Sequence, residues 1–172
     1  MDVLLLMMLF PGEFSDEEVL CAWEYYLPYT THDSSLSPGV HAIVASRLGK
    51  TRAAWDFWKR CSHLDLDVET GGAAEGIHMA NAGLNWQIAV FGFAGLSSAM
   101  ETDIPTFNPA LPDGWSRLAF SLAWKGDRLW VEIQPGQMVI HNLSSKSQEV
   151  AVYGSTKSLL PESRAFFQLH TP

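Results

Sequence analysis

The sequence predicts a multidomain α+β chain, helical over residues 1–98, with a domain boundary near residue 107 and a small antiparallel β domain from 108 to 172. Three observations carry that prediction. Apolar residues recur at helical spacing, between recognisable caps, through the first hundred positions. A turn-rich stretch, Asn108-Pro109-Ala110-Leu111-Pro112-Asp113-Gly114, then breaks the pattern. Beyond it the apolar period falls to two.

Taken in order, Leu4-Leu5-Leu6-Met7-Met8-Leu9-Phe10 reads as a short buried helix stopped by Pro11-Gly12. It has no basic residue before it and no small-x-small cleavage pattern after it, and it is too short to span a bilayer. Ser15-Asp16-Glu17-Glu18 is a capping box, and Val19, Leu20, Trp23 and Tyr26 follow at helical spacing as far as Pro28. Ser37 and Pro38 open another helix as N-cap and first residue. It buries Val40, Ile43, Val44 and Leu48 and ends at Gly49. Ala54, Trp55, Phe57, Trp58 and Cys61 form the next stripe. From Glu75 to about Leu96 the chain is apolar nearly all round, which predicts a deeply buried helix. After the linker, Leu118, Phe120 and Leu122, then Leu129, Val131 and Ile133, then Met138 and Ile140, alternate as strands. Lys125-Gly126-Asp127 and Pro135-Gly136 mark the hairpin turns between them. Val150 and Val152 continue the alternation, and Ala165–Leu169 supplies a last strand.

Hydrophobic residues make up 47% of the 172 and charged residues 17%, enough apolar material for a packed core. The net charge of −8, with no Lys/Arg cluster longer than a pair, argues against nucleic acid as a partner. Cys21 and Cys61 are too few for a disulfide framework and read as buried free thiols, as in a reducing cytoplasm. His32, His41, His63 and His78 match no zinc spacing, and no nucleotide-binding glycine loop is present, so no metal or organic cofactor is expected.

Two segments bear chemistry. Thr31-His32-Asp33-Ser34-Ser35-Leu36-Ser37 puts two hydroxyls, an imidazole and loop amides before a helix N-terminus. Such a run either binds an anion or caps and turns the chain through Asp33, Ser34 and Ser37. Glu75-Gly76-Ile77-His78-Met79-Ala80 puts a carboxylate and an imidazole three residues apart, on one face of a first helical turn. There His78 is either a functional donor or a helix histidine bonded to Glu75 or to a carbonyl. Glu75 in turn either orients the ring and raises its pKa or interacts with the helix dipole. Asp65 and Asp67 read as turn and capping groups, His41 as a helix-face residue near the loop, and Trp55 and Trp86 as core.

These two motifs together resemble glycoside hydrolase family 65, from Asp2 to about the end of the chain. The family comprises inverting phosphorylases of maltose, trehalose, kojibiose and nigerose and a smaller number of hydrolases. The resemblance implies that residues 1–107 are the last helices of an (α/α)6 catalytic barrel and 108–172 its C-terminal β-sandwich. It implies phosphate binding by Ser34, Ser35 and His78, with His32, Asp33 and Glu75 in support. The catalytic general acid, a glutamate of an earlier barrel loop, and the family's sugar-contacting Lys-Gln pair have no counterpart here. The expected partners are an α-linked glucose disaccharide and inorganic phosphate. A homodimer or association with the rest of the barrel is expected too, with neither nucleic acid nor membrane. Asp67–Ala74 and Ala82-Gly83-Leu84-Asn85 depart from the family pattern. Two other readings stand beside the phosphorylase: a hydrolase of the same family, with Glu75 the nearest carboxylate to serve as base, and a non-catalytic protein binding sugar or a partner.

Overall fold

Helix α3, Ser37–Arg47, is buried along every residue from Ser37 to Ser46 and forms the hub of the first half of the molecule. The computed structural model describes residues 2–67, 76–97 and 103–169. The chain divides into two compact units, one ending at Phe93 and the other beginning at Ala94.

In the first unit, α1 (Asp2–Leu9) and α2 (Asp16–Tyr26) pack against α3. The chain turns at Gly49, whose φ of +67° suits glycine, and returns as α4, Thr51–His63. Helix α5, Met79–Gln87, continues as a π-helical turn, Ile88–Phe93. Ser15 caps α2 as expected: its hydroxyl accepts from the Glu18 N–H at 3.3 Å while Glu18 accepts from the Ser15 N–H at 2.9 Å.

Small residues set the approach of α5 to α3. A methyl group on Gly39 would lie 2.8 Å from Leu84 Cδ1, and one on Gly92 would lie 3.2 Å from Ser46 Oγ. Both contacts advance along the two elements in the same direction, so α3 and α5 run parallel. Between α4 and α5, the Cys61 thiol donates to Asn81 Oδ1 at 2.8 Å, and Asn81 Nδ2 donates to the Cys61 carbonyl at 2.8 Å. Burial pushes that thiol up to about 11.

Several expectations are corrected. The helix foreseen from Glu75 starts at Met79, because Gly76 takes φ +98° and His78, at the N-cap, has non-helical φ and ψ. Glu75 itself lies outside the described residues. Nor is that helix buried all round: Asn81, Leu84 and Ile88 face inward, whereas Met79 and Trp86 are exposed. In α1 only Leu4 and Met7 are buried, and Leu6, Leu9 and Phe10 are exposed. An i, i+3 pair is all that one neighbouring face can cover on a two-turn helix. Cys21 is exposed, on the outer side of α2, and only Cys61 is the buried thiol foreseen.

The second unit holds a four-stranded antiparallel sheet in the order β2-β3-β4-β7. Its strands are Leu118–Trp124, Asp127–Gln134, Gln137–Asn142 and Arg164–Gln168. The other sheet runs β1-β5-β6, from Thr106–Phe107, Gln148–Val152 and Ser155–Leu159. Here β1 pairs with β5 in parallel, a departure from the all-antiparallel pattern foreseen. Leu129, Val131, Ile133, Met138, Ile140 and Phe167 alternate with polar residues and form the buried face. Asn142, fully buried, donates to the Lys146, Leu159 and Leu160 carbonyls at 2.7, 3.3 and 3.2 Å and so ties the sheets together. Gly95 is obligatory, since a side chain there would collide with the Asn108 backbone and its φ is +62°.

Candidate functional site

The loop before α3 is held by its own polar side chains. The Thr31 hydroxyl donates to Asp33 at 2.6 Å, and the Leu36 N–H donates to Ser34 Oγ at 3.3 Å. The Ser37 N–H reaches the Ser34 carbonyl at 3.1 Å. Ser37 is not the N-cap foreseen: Leu36 occupies that place, and no side chain caps the helix. The Ser37 hydroxyl turns inward instead, 2.8 Å from His32 Nδ1. Asp33 and Ser34 are exposed, while His32 and Ser35 are half-buried.

His78 is braced by Asp65. The Asp65 carboxylate accepts the His78 backbone N–H at 3.2 Å through each oxygen and faces His78 Nδ1 at 2.6 Å. Asp65 is thus a capping group, as expected, and also the group that orients the ring. The His78 hydrogen bond, acting against desolvation, holds the Asp65 carboxyl below the usual carboxylate range. A carboxylate on Nδ1 fixes the ring's orientation.

The two motifs lie at the same end of the helical unit. Helix α4 runs back along α3 from the tight turn at Gly49, which places the end of α4 beside the start of α3. The ring contacts agree, with His32 5.0 Å and His41 5.2 Å from Phe57 of α4. Asp65, just beyond α4, holds His78, and the parallel α3–α5 register sets the start of α5 level with the loop before α3. Arg60 adds a guanidinium at this end, 6.0 Å from the Phe57 ring. Its charge adds to burial in depressing His32 and His41.

His41 has a deeper place than a helix face. It is fully buried between His32, Phe57 and Trp23, with Nδ1 2.7 Å from the Ser37 carbonyl. Burial pushes its imidazole down to about 4. Of the remaining candidates, Trp55 stacks on Trp58 at 4.8 Å, while Trp86 is exposed and meets Phe91 edge-on. No group of three or more His, Cys, Asp or Glu residues suited to a metal occurs among the described residues. No helix among them is long and apolar enough to cross a membrane.

Sequence reasoning undervalued Asp65 and missed Arg60. Asp65 carried a signal, since it follows α4 and precedes the His78 motif. Arg60 is one basic residue in an ordinary helical pattern, and only the fold places it.

Comparison with known proteins gives a consistent result. The family model described as the glycosyl hydrolase family 65 central catalytic domain matches residues 1–87, and that of the family's C-terminal domain matches 100–159. A kojibiose phosphorylase of Caldanaerobacter subterraneus subsp. tengcongensis is 38% identical over 92% of this chain and 20% of its own length. An α,α-trehalose phosphorylase of Thermoanaerobacter brockii is 34% identical over 94% of this chain and 20% of its own length. A solved chain from the human microbiome, provisionally named a kojibiose phosphorylase, superposes with a TM-score of 0.89 at 32% identity. It covers 98% of this chain and 23% of its own. The chain therefore spans about a fifth of the length of the curated relatives it matches.

Proposed function

The chain belongs to glycosyl hydrolase family 65, and from that premise we propose that it forms the phosphate side of an inverting α-glucoside phosphorylase. The substrate would be a glucose disaccharide, and the product on the donor side β-glucose 1-phosphate. In this reading residues 1–107 belong to the catalytic barrel and 108–172 to the C-terminal β-sandwich. Ser34, Ser35 and His78 bind phosphate, with His32, Asp33 and Glu75 in support and Asp65 and Arg60 added. Phosphate is the co-substrate and no cofactor takes part. The general acid comes from outside this segment. The exposed Leu6, Leu9, Phe10, Met79 and Trp86 are surfaces for the remaining barrel or a second chain.

The observation that carries the proposal is the Asp65–His78 pair at 2.6 Å, at the end of the unit that also bears the hydroxyl loop. In phosphorolysis the nucleophile arrives already anionic, so the protein needs donors rather than a general base. Two serine hydroxyls and a nearby guanidinium are donors, beside an imidazole whose orientation Asp65 fixes. The hydrolase reading needs a carboxylate free to activate water: Asp65 is engaged by His78 through its ring and backbone N–H, and Glu75 lies outside the described residues.

The test is a chimera in which this chain replaces the matching fifth of the Caldanaerobacter enzyme. The expected result is phosphate-dependent release of glucose 1-phosphate from a disaccharide, reduced by about 10²-fold or more in His78→Ala as an anion-stabilising donor is lost. Release of free glucose that ignores phosphate would transfer the assignment to the hydrolase.

A further inference from the structure

We propose that Ser37, backed by buried His41, is a positioning residue: it fixes His32 as the neutral tautomer protonated on Nε2. The loop before α3 then carries a preset N–H donor. The proposal deepens the phosphate-side reading and rests on it only for the identity of the ligand that the N–H meets.

The assignment follows from counting protons. The Ser37 carbonyl can only accept, so His41 Nδ1, 2.7 Å away, carries a proton and donates it. His41 is 0% exposed and its Nε2 has no hydrogen-bond partner. A second proton there would place a bare cation inside an aromatic cage, so His41 stays neutral. The Ser37 hydroxyl oxygen lies 3.5 Å from that same protonated Nδ1 and 2.8 Å from His32 Nδ1. Ser37 is 2% exposed, which keeps bulk water from its hydroxyl proton. The one short acceptor open to that proton is His32 Nδ1. Were His32 protonated on Nδ1, two donors would meet head-on or the hydroxyl proton would be stranded in the interior. The proton of neutral His32 therefore sits on Nε2.

Geometry supports a built device over a chance contact. His32 adopts φ +58°, a left-handed conformation unfavourable for a side chain of its size, and the Ser37 bond helps to hold it there. Its ring stands edge-on to His41 at 4.6 Å and against Phe57 at 5.0 Å, so rotation is blocked on two sides. Burial and the Arg60 charge oppose protonation of His32 and outweigh the Asp33 carboxylate, which favours it and also accepts the Thr31 hydroxyl. A neutral donor at this half-buried edge, beside Ser34 and Ser35, hydrogen-bonds an oxyanion without taking a proton from it.

The experiment is long-range ¹H–¹⁵N correlation of the imidazole nitrogens in the 172-residue chain at pH 7. The expected pattern is a single tautomer for each ring, His32 bare at Nδ1 and protonated at Nε2, His41 the reverse. Ser37→Ala should turn His32 into a tautomer mixture, and Ser37→Thr, which keeps the hydroxyl, should restore the single form. His32 protonated on Nδ1 in the wild type overturns the proposal, and this readout stands even if the alanine variant does not fold. An unchanged His32 pattern in a folded Ser37→Ala chain overturns it too. Inorganic phosphate should shift the His32 Nε2 proton where sodium chloride of equal ionic strength does not. Silence in that arm, with the tautomers as expected, refutes the phosphate-side reading and leaves the tautomer assignment standing.

Discussion

The parallel packing of α3 and α5 sets the two chemical motifs level, and it can be tested at Gly39. A methyl group there would lie 2.8, 3.0 and 3.2 Å from Leu84 Cδ1, Cβ and Cγ. Over-packing of this kind costs about 1–3 kcal/mol, while exchanging glycine for alanine inside a helix returns about 1 kcal/mol. Gly39→Ala should therefore destabilise the helical unit by about 0–2 kcal/mol. Leu84→Ala alone removes a buried side chain and should cost about 2–5 kcal/mol. In that background two of the three close atoms are gone. Gly39→Ala should then turn neutral or stabilising, by up to about 1 kcal/mol of helix propensity.

The signature is thus a change of sign, with a coupling of about 1–3 kcal/mol in the double-mutant cycle. Urea unfolding of the four proteins, followed through the fluorescence of buried Trp23, measures it. Additivity within about 0.5 kcal/mol would mean that the helices do not meet at this point. The placement of His78 beside the Thr31–Ser37 loop would fall with it.

Three further outcomes are expected. His41 has an ordinary value of 6.5 and is pushed down to about 4 by burial, so the unfolded chain takes up the proton first as pH falls. Its contribution is whole above about pH 6.5 and is lost towards pH 4, on the order of 3 kcal/mol, and His41→Phe should flatten that limb in a pH series of melts. Asp65, held low by His78, contributes stability that is present above the unfolded carboxylate range and lost as pH falls through its depressed folded value. Asp65→Asn should remove that more acidic limb only, and an unchanged acid profile would show that the pair does not form. In the second unit, Asn142→Ala removes the buried side-chain hydrogen bonds to the Lys146 and Leu159 carbonyls, and should lower the unfolding free energy by about 1–3 kcal/mol in a urea titration.

Much of the fold was legible because local signals and packing agree. The Ser15 box, the glycine turn at Gly49 and the period-two strands Leu118–Asn142 are set by neighbours along the chain. What escaped depends on partners distant in sequence. Strand β6, Ser-Thr-Lys-Ser-Leu, carries almost no apolar signal because it exposes every residue but Leu159. The two-residue β1 exists through its parallel pairing with β5, some 45 positions on. The apolar run after Glu75 resembled an interior helix, yet hydrophobicity says what a segment can bury and not which neighbour covers it.

The site shows the same division with a sharper consequence. That Ser34, Ser35 and His78 are chemically suited to an anion follows from residue type and motif. That His78 is oriented by Asp65 follows from neither, since an acidic residue three positions before a histidine is the stronger local signal and pointed to Glu75. The chain departs from helix at Gly76, and the ring meets the carboxylate just beyond α4. The Ser37 hydroxyl repeats the lesson: a serine before proline at a helix start reads as a cap, but here it faces inward to His32 because Leu36 takes the cap position. In both cases a residue with a sound local role is drawn to a partner on the far side of a turn. Those two bonds, and not the motifs alone, set how the His32 and His78 rings are oriented.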